Sequence, residues 1–132
     1  MENPRILVID DEPKTLEVMV DLLEQAGYAP QSTSDSREAA RVLESSAFDV
    51  IVCDIVMPHL SGLQVLEVAK RANPAVHVVM ITAYATREFA QEALNKGASA
   101  FIEKPFHAEP FLATIRQAIW RHQLKDEPRD SA

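Results

Sequence analysis

Three short segments of this chain, Arg5–Ile9, Val50–Cys53 and Val76–Ile81, are apolar almost throughout and rich in β-branched residues. A strand with one wet face alternates apolar with polar side chains, so such unbroken runs read as strands covered on both faces, the situation in a parallel sheet. Two weaker runs, Ala29–Thr33 beyond Gly27 and Ala98–Ile102 after the helix-stopping Asn95-Lys96-Gly97, bring the strands to five. Between them the apolar period lengthens to that of a helix: Leu16, Met19, Val20 and Leu23; Ala39, Ala40 and Leu43; Val65, Leu66 and Ala69; Phe89, Ala90, Ala93 and Leu94. A fifth helix opens near Pro110 and carries Phe111, Ile115, Ala118 and Ile119 on one stripe. Strict alternation with right-handed crossovers predicts an α/β fold, an open five-stranded parallel sheet with helices on both faces.

The chain has 132 residues, enough for one core and too few for two ordinary domains. Residues 1–124 are read as the domain, and the polar stretch 125–132 as a tail or truncated linker. A lone Cys53 cannot close an internal disulfide, and no basic-then-apolar leader opens the sequence, so the expected setting is cytoplasmic. No apolar stretch approaches the roughly 20 residues that cross a bilayer as a helix. The net charge of −7 repels phosphate backbones, so neither nucleic acid nor membrane is expected as a partner of this domain.

The runs end in polar groups: Asp10-Asp11-Glu12, Asp54, Thr82 and Lys104. In an open parallel sheet these C-terminal ends share one edge, and ligands bind there where the strand order reverses. In the flavodoxin-like order 2-1-3-4-5 the reversal lies between strands one and three, which brings Asp10 and Asp11 beside Asp54. Crowded carboxylates raise one another's pKa unless a cation intervenes. Oxygen-only donors with no His or Cys in the pattern suit Mg2+ with retained waters. Lys104 adds a positive charge and Thr82 a hydroxyl donor. Such a set suits phosphoryl transfer, in which an Asp can itself be the nucleophile.

The pieces that carry this chemistry are Ile6-Leu-Val-Ile-Asp10-Asp11-Glu12-Pro13, Val52-Cys-Asp54-Ile-Val-Met-Pro58, Gly62, Met80-Ile-Thr82-Ala83-Tyr84 and Phe101-Ile-Glu-Lys104-Pro105-Phe106. In this order and at these separations the chain resembles the receiver domain of two-component response regulators over nearly its whole length. The resemblance implies that Asp54 is the phosphoacceptor, Asp11 a direct metal ligand, Asp10 a ligand largely through water, and the Val56 carbonyl the remaining protein ligand of Mg2+. It implies that Lys104 pairs with Asp54 or a phosphoryl oxygen, that the Lys104–Pro105 bond is cis, and that Thr82 and Phe101 form a switch pair. The donor would be a phosphohistidine of a sensor histidine kinase, and the acyl phosphate would later be hydrolysed. The chain would thus catalyse its own modification without turning over a metabolite, and would not count as an enzyme. Output would follow from a population shift on the face of the fourth helix, fifth strand and fifth helix, around Phe89, Phe101 and Phe111, with a homodimer as one expected result.

The rival reading, a phosphohydrolase with an Asp nucleophile on a similar sheet, needs a general acid two residues after the nucleophile, where this chain has Val56. A cofactor binder of flavodoxin type lacks its phosphate loop here, since no glycine- or hydroxyl-rich turn follows the first strand. His59, His77, His107 and His122 have no ligand spacing and are read as surface or capping residues. Cys53 is read as a buried, inert thiol pointing away from Asp54. Trp120 and Arg121 are read as exposed packing or as part of a dimer face. Three positions depart from the family pattern or mark a subtype. Phe101 replaces the common Tyr and has no hydroxyl, so burial alone carries its signal. Thr82-Ala-Tyr-Ala and Phe101-Ile-Glu-Lys-Pro-Phe are most similar to receivers of enhancer-binding transcriptional activators. Apolar Val56 cannot position a hydrolytic water and Tyr84 shields the pocket, which predicts slow autodephosphorylation. Val56→Asn with Tyr84→Ala should therefore shorten the phosphoryl half-life, and an unchanged half-life would count against that reading.

Overall fold

A computed structural model describes residues 3–83 and 86–126, the last three by backbone alone. Its elements are β1 (Ile6–Ile9), α1 (Pro13–Gln25), β2 (Gln31–Thr33), α2 (Ser36–Ser45), β3 (Val50–Asp54), α3 (Gly62–Ala72), β4 (His77–Thr82), α4 (Arg87–Asn95), β5 (Ala100–Glu103) and α5 (Ala108–Asp126). The strands form one parallel sheet in the order β2-β1-β3-β4-β5, the flavodoxin-like order expected.

Side-chain alternation along the central strands sorts the core into two layers. Ile6, Val8, Val50, Val52, Val79 and Ile81 meet Met19 and Leu23 of α1 and Phe111, Ile115 and Ile119 of α5. Leu7, Ile9, Ile51, Cys53, Val78 and Met80 face the other way, against Leu43 of α2, Leu66 of α3 and Ala93 of α4. Cys53 is therefore on the side its register predicts, and burial first, then the charges of Asp54 and Asp10, push its thiol pKa well above the ordinary range. Of α4, only Ala93 is buried.

The two weaker strands begin later than their sequence suggests, and the helices before them explain why. Gly27 at φ +97° and Gly97 at φ +103° close α1 and α4. After each glycine the next amide turns back to the helix, Tyr28 N donating to Leu23 O at 3.0 Å and Ala98 N to Ala93 O at 2.9 Å. Tyr28 and Ala98 thus belong to the caps, and Pro30 has no N–H to give a ladder, so pairing starts at Gln31 and Ala100. At the other end, α5 reaches Asp126, past the 124/125 boundary read from the sequence. The next helix breaker is Pro128, which disfavours helix at its own predecessor and not earlier. Residues 127–132 of the expected tail lie outside the described residues. Among the described residues no helix is long and apolar enough to cross a membrane.

Of the three glycines, Gly62, in the turn from β3 into α3, has the least room for a side chain. A Cβ on Gly62 would sit 2.6 Å from Ile55 Cα and closer still to the Asp54 carbonyl oxygen. Gly27 needs its positive φ but has open space around it. Gly62→Ala is therefore expected to lower unfolding free energy by about 3 kcal/mol, against roughly 1 kcal/mol for Gly27→Ala. Urea unfolding of the two variants checks the ranking, and equal losses would refute it.

Candidate functional site

Ile9 of β1 is in parallel register with Cys53 of β3, so the residues that follow, Asp10 and Asp54, leave the sheet side by side. Asp11 joins them, and the three carboxylates offer oxygens that all lie within 4.8 Å of one another. Asp10 and Asp54 are buried and Asp11 is exposed, which puts the mouth of the pocket on the Asp11 side. Each buried carboxylate is oriented by a backbone amide two residues on: Asp10 Oδ1 accepts from Glu12 N at 2.9 Å, and Asp54 Oδ1 from Val56 N at 3.2 Å.

Lys104 enters from the end of β5. Its ammonium donates to Asp54 Oδ2 at 2.8 Å and lies 2.9 Å from Asp10 Oδ2 as an ion pair off hydrogen-bond alignment. Exposed Glu12 is a looser neighbour at 3.8 Å. Desolvation is the largest single influence on Lys104 and works to lower its pKa, yet the pKa is raised, because its hydrogen bond to Asp54, its close contact with Asp10 and the attraction of both charges together outweigh it. For Asp10 the balance is opposite: burial raises its pKa beyond what Lys104 and the Glu12 amide recover, and the charge of Asp54 adds to the rise.

One ammonium, paired with Asp10 and Asp54 in a cluster of three carboxylates, leaves net negative charge at the edge, with a buried Asp10 oxygen that has no aligned donor. The donors are all oxygen, and two of the three carboxylates are preoriented. That donor set fits a hard divalent ion such as Mg2+.

Thr82 closes β4 at the same edge, buried, and its carbonyl accepts from Lys104 N at 2.8 Å. Phe101 pairs with Met80 across the β4–β5 ladder, so it shares a sheet face with Thr82, two residues beyond Met80. Phe101 is half-buried against the layer that includes Phe89 and Ala93. The Val56 side chain is 47% exposed and apolar at the rim. The Lys104–Pro105 peptide is cis. Phe106 stacks on Phe111 with ring centroids 4.9 Å apart and is half-buried at the edge of the core. Tyr84, read as a shield, lies outside the described residues.

Two of the histidines read as surface or capping residues are buried. His77 and His122 meet edge to face with centroids 5.7 Å apart, at the opposite edge of the sheet from the carboxylates. His122 Nε2 is 2.9 Å from Asp49 Oδ1, and His77 Nδ1 is 2.9 Å from Ser99 Oγ. His122 lies seven residues after Ile115, on the same stripe as Ala118 and Ile119, and His77 opens a strand buried along its whole length. These positions, rather than ligand spacing, were the signal for burial. His59 and His107 are exposed, and Trp120 is 60% exposed.

The family model described as the response regulator receiver domain matches residues 6–116. The chain is 33% identical to the transcriptional regulatory protein ZraR of Escherichia coli over 118 residues, 89% of this chain and 27% of that protein. It is 34% identical to the nitrogen assimilation regulatory protein NtrX of Azorhizobium caulinodans over 127 residues, 95% of this chain and 28% of that protein. It therefore spans little more than a quarter of the length of those relatives. Among solved structures, a CheY-like receiver domain protein from Methanospirillum hungatei superposes with a TM-score of 0.89 at 29% identity, covering 94% of this chain and 99% of that one. The beryllofluoride-activated NtrC4 receiver domain dimer gives 0.84 at 36% identity, covering 89% and 98%.

The raised pKa of Asp10 means that its ionisation opposes folding. The stability linked to its neutral form is present below its unfolded pKa and lost as pH rises through the folded one. Asp10→Asn removes that penalty and keeps the Oδ1 acceptor for Glu12. In Mg2+-free buffer it should raise the urea midpoint at neutral pH, with the gain shrinking on acidification. A lower midpoint at neutral pH would show that the lost attraction to Lys104 outweighs desolvation.

Proposed function

This chain belongs to the response regulator receiver domain family, and from that premise we propose that it accepts a phosphoryl group on Asp54 from a phosphohistidine of a sensor histidine kinase. The observation that carries the proposal is Asp54 itself, a buried carboxylate beside Asp10 and Asp11 and gripped by Lys104 at 2.8 Å. In the transfer an Asp54 oxygen attacks phosphorus in line, the P–N bond to the kinase histidine breaks, and the imidazole leaves with the electron pair. The Val56 amide and the Lys104 ammonium hold the carboxylate in one orientation, so little conformational freedom is lost on reaching the transition state. Lys104 and the Thr82 hydroxyl supply a positive charge and a donor for the phosphoryl oxygens.

Asp11, Asp54 and the Val56 carbonyl would hold Mg2+, with Asp10 acting largely through water. The ion would neutralise the crowded carboxylates and draw charge from the phosphoryl oxygens. A groove bordered by Glu12, Lys14, Thr15, Val18, Pro105 and Phe106 lies beside Lys104 and offers the kinase an apolar surface next to the acceptor.

The response is a shift of Thr82 toward the phosphoryl group, with Phe101 filling the space vacated on their shared sheet face. The shift re-forms the surface of α4, β5 and α5, where a second copy or an output element binds. The transcriptional regulators among the relatives support a receiver of the enhancer-binding activator type acting in the cytoplasm. Incubation with acetyl phosphate or beryllofluoride and Mg2+ tests the reading through intact mass and particle size. The wild type should gain one phosphoryl group with acetyl phosphate and form dimers. Asp54→Asn should lose the modification, and a wild type that ignores both reagents would overturn the proposal.

A further inference from the structure

Residues 55–61 join β3 to α3 and carry the Val56 carbonyl. The base of this segment is closed twice, Ile55 N donating to Ile81 O at 3.0 Å and Gly62 N to Ile55 O at 2.7 Å. Its middle is held by a side chain from another helix. Ser36, the first residue of α2 and only 2% exposed, donates from Oγ to Pro58 O at 2.8 Å and accepts at the same oxygen from Leu60 N at 3.0 Å. A hydroxyl has one proton to give, and here it is committed, so the bridge has one orientation.

The two bridged residues flank His59, which has φ +73°. That left-handed conformation is strained for a non-glycine residue and persists only where neighbours hold it. The Ser36 bridge is the hold on both sides of it. Between the closed base and the bridge lie Val56 and Met57, and Met57 packs its side chain against the core. The Val56 N–H is taken by Asp54 Oδ1 at 3.2 Å, which fixes the Ile55–Val56 peptide, and the Val56 carbonyl, in the next peptide, is placed by Met57 and the bridge beyond it.

We propose that Ser36 is a positioning residue for the acidic pocket: by clamping Pro58 and Leu60 it fixes where the Val56 carbonyl stands relative to Asp54, and so sets the affinity for Mg2+. The inference rests on the receiver-site reading above. Without the hydroxyl, Pro58 O and Leu60 N lose their partner, the left-handed turn relaxes, and the carbonyl drifts from its place.

The test is Mg2+ titration of the amide resonances of Asp54 and Val56 in wild type, Ser36→Ala and Leu43→Ala, together with hydrogen exchange at the Leu60 amide. Leu43 is buried on α2 in the sheet-face core, so Leu43→Ala lowers the urea midpoint without touching the bridge. Ser36→Ala should bind Mg2+ about tenfold more weakly, the low end of what loss of an outer-shell partner costs. Leu43→Ala should keep the wild-type dissociation constant, and Leu60 should exchange slowly in the wild type. Full affinity in Ser36→Ala, an equal loss in Leu43→Ala, or an unprotected Leu60 amide overturns the positioning role alone. A wild type whose amides ignore Mg2+ overturns the receiver-site reading and the positioning role together.

Discussion

Lys104 stands at the end of the edge strand β5, yet its ammonium lies 2.8 Å from Asp54 on β3 and 2.9 Å from Asp10 beyond β1. Ordinary strand spacing puts β3 about 10 Å from β5, and β1 farther still. A long unbranched side chain is what can cross β4 and reach both. This one cation makes the carboxylate cluster tolerable. Removing one partner of a comparable buried pair costs roughly 3–5 kcal/mol because the other charge is stranded. Lys104 keeps 13% of its side chain in water, which places it toward the lower end.

The cluster is nevertheless not neutralised, and the rest of the fold is arranged around that fact. Asp10 ionises against its own burial, and Cys53, one residue before Asp54, is kept as a thiol partly by the two nearby charges. A core built for stability alone would place apolar residues there. The two apolar layers on either side of the sheet supply the compensation. The site is therefore a local excess of charge held in place by non-local packing, which is the usual relation between a reactive pocket and its scaffold.

Much of this was legible in the chain. Unalternating runs identified the central strands, and the polar residue after each run identified the edge where chemistry collects. The flavodoxin-like order adopted for that alternation then brought Asp54 to Asp10 and Asp11. Less legible was whatever depended on contacts between distant segments. The starts of β2 and β5 were set by helix caps that consume Tyr28 and Ala98, a backbone matter that side-chain patterning does not report. His122 was on the apolar stripe of α5, but its partner Asp49 lies in another loop, and only folding brings the two to 2.9 Å. Nothing in the pattern around Ser36 singled it out. Its bonds to Pro58 and Leu60 span 22 and 24 residues and left no trace in local sequence.

The helices on the two faces are held very unequally. Phe111, Leu112, Ile115, Ala118, Ile119 and His122 root α5 in the sheet, whereas α4 keeps one buried residue, Ala93, with Leu94 49% exposed. Free energies of local opening follow such anchorage, from near zero for thinly held segments to the global value for deeply packed ones. When strain arises at the neighbouring ends of β4 and β5, α4 is thus the layer that gives way first. The stiffness of α5 channels the displacement sideways, toward the single helix that has least to lose by moving.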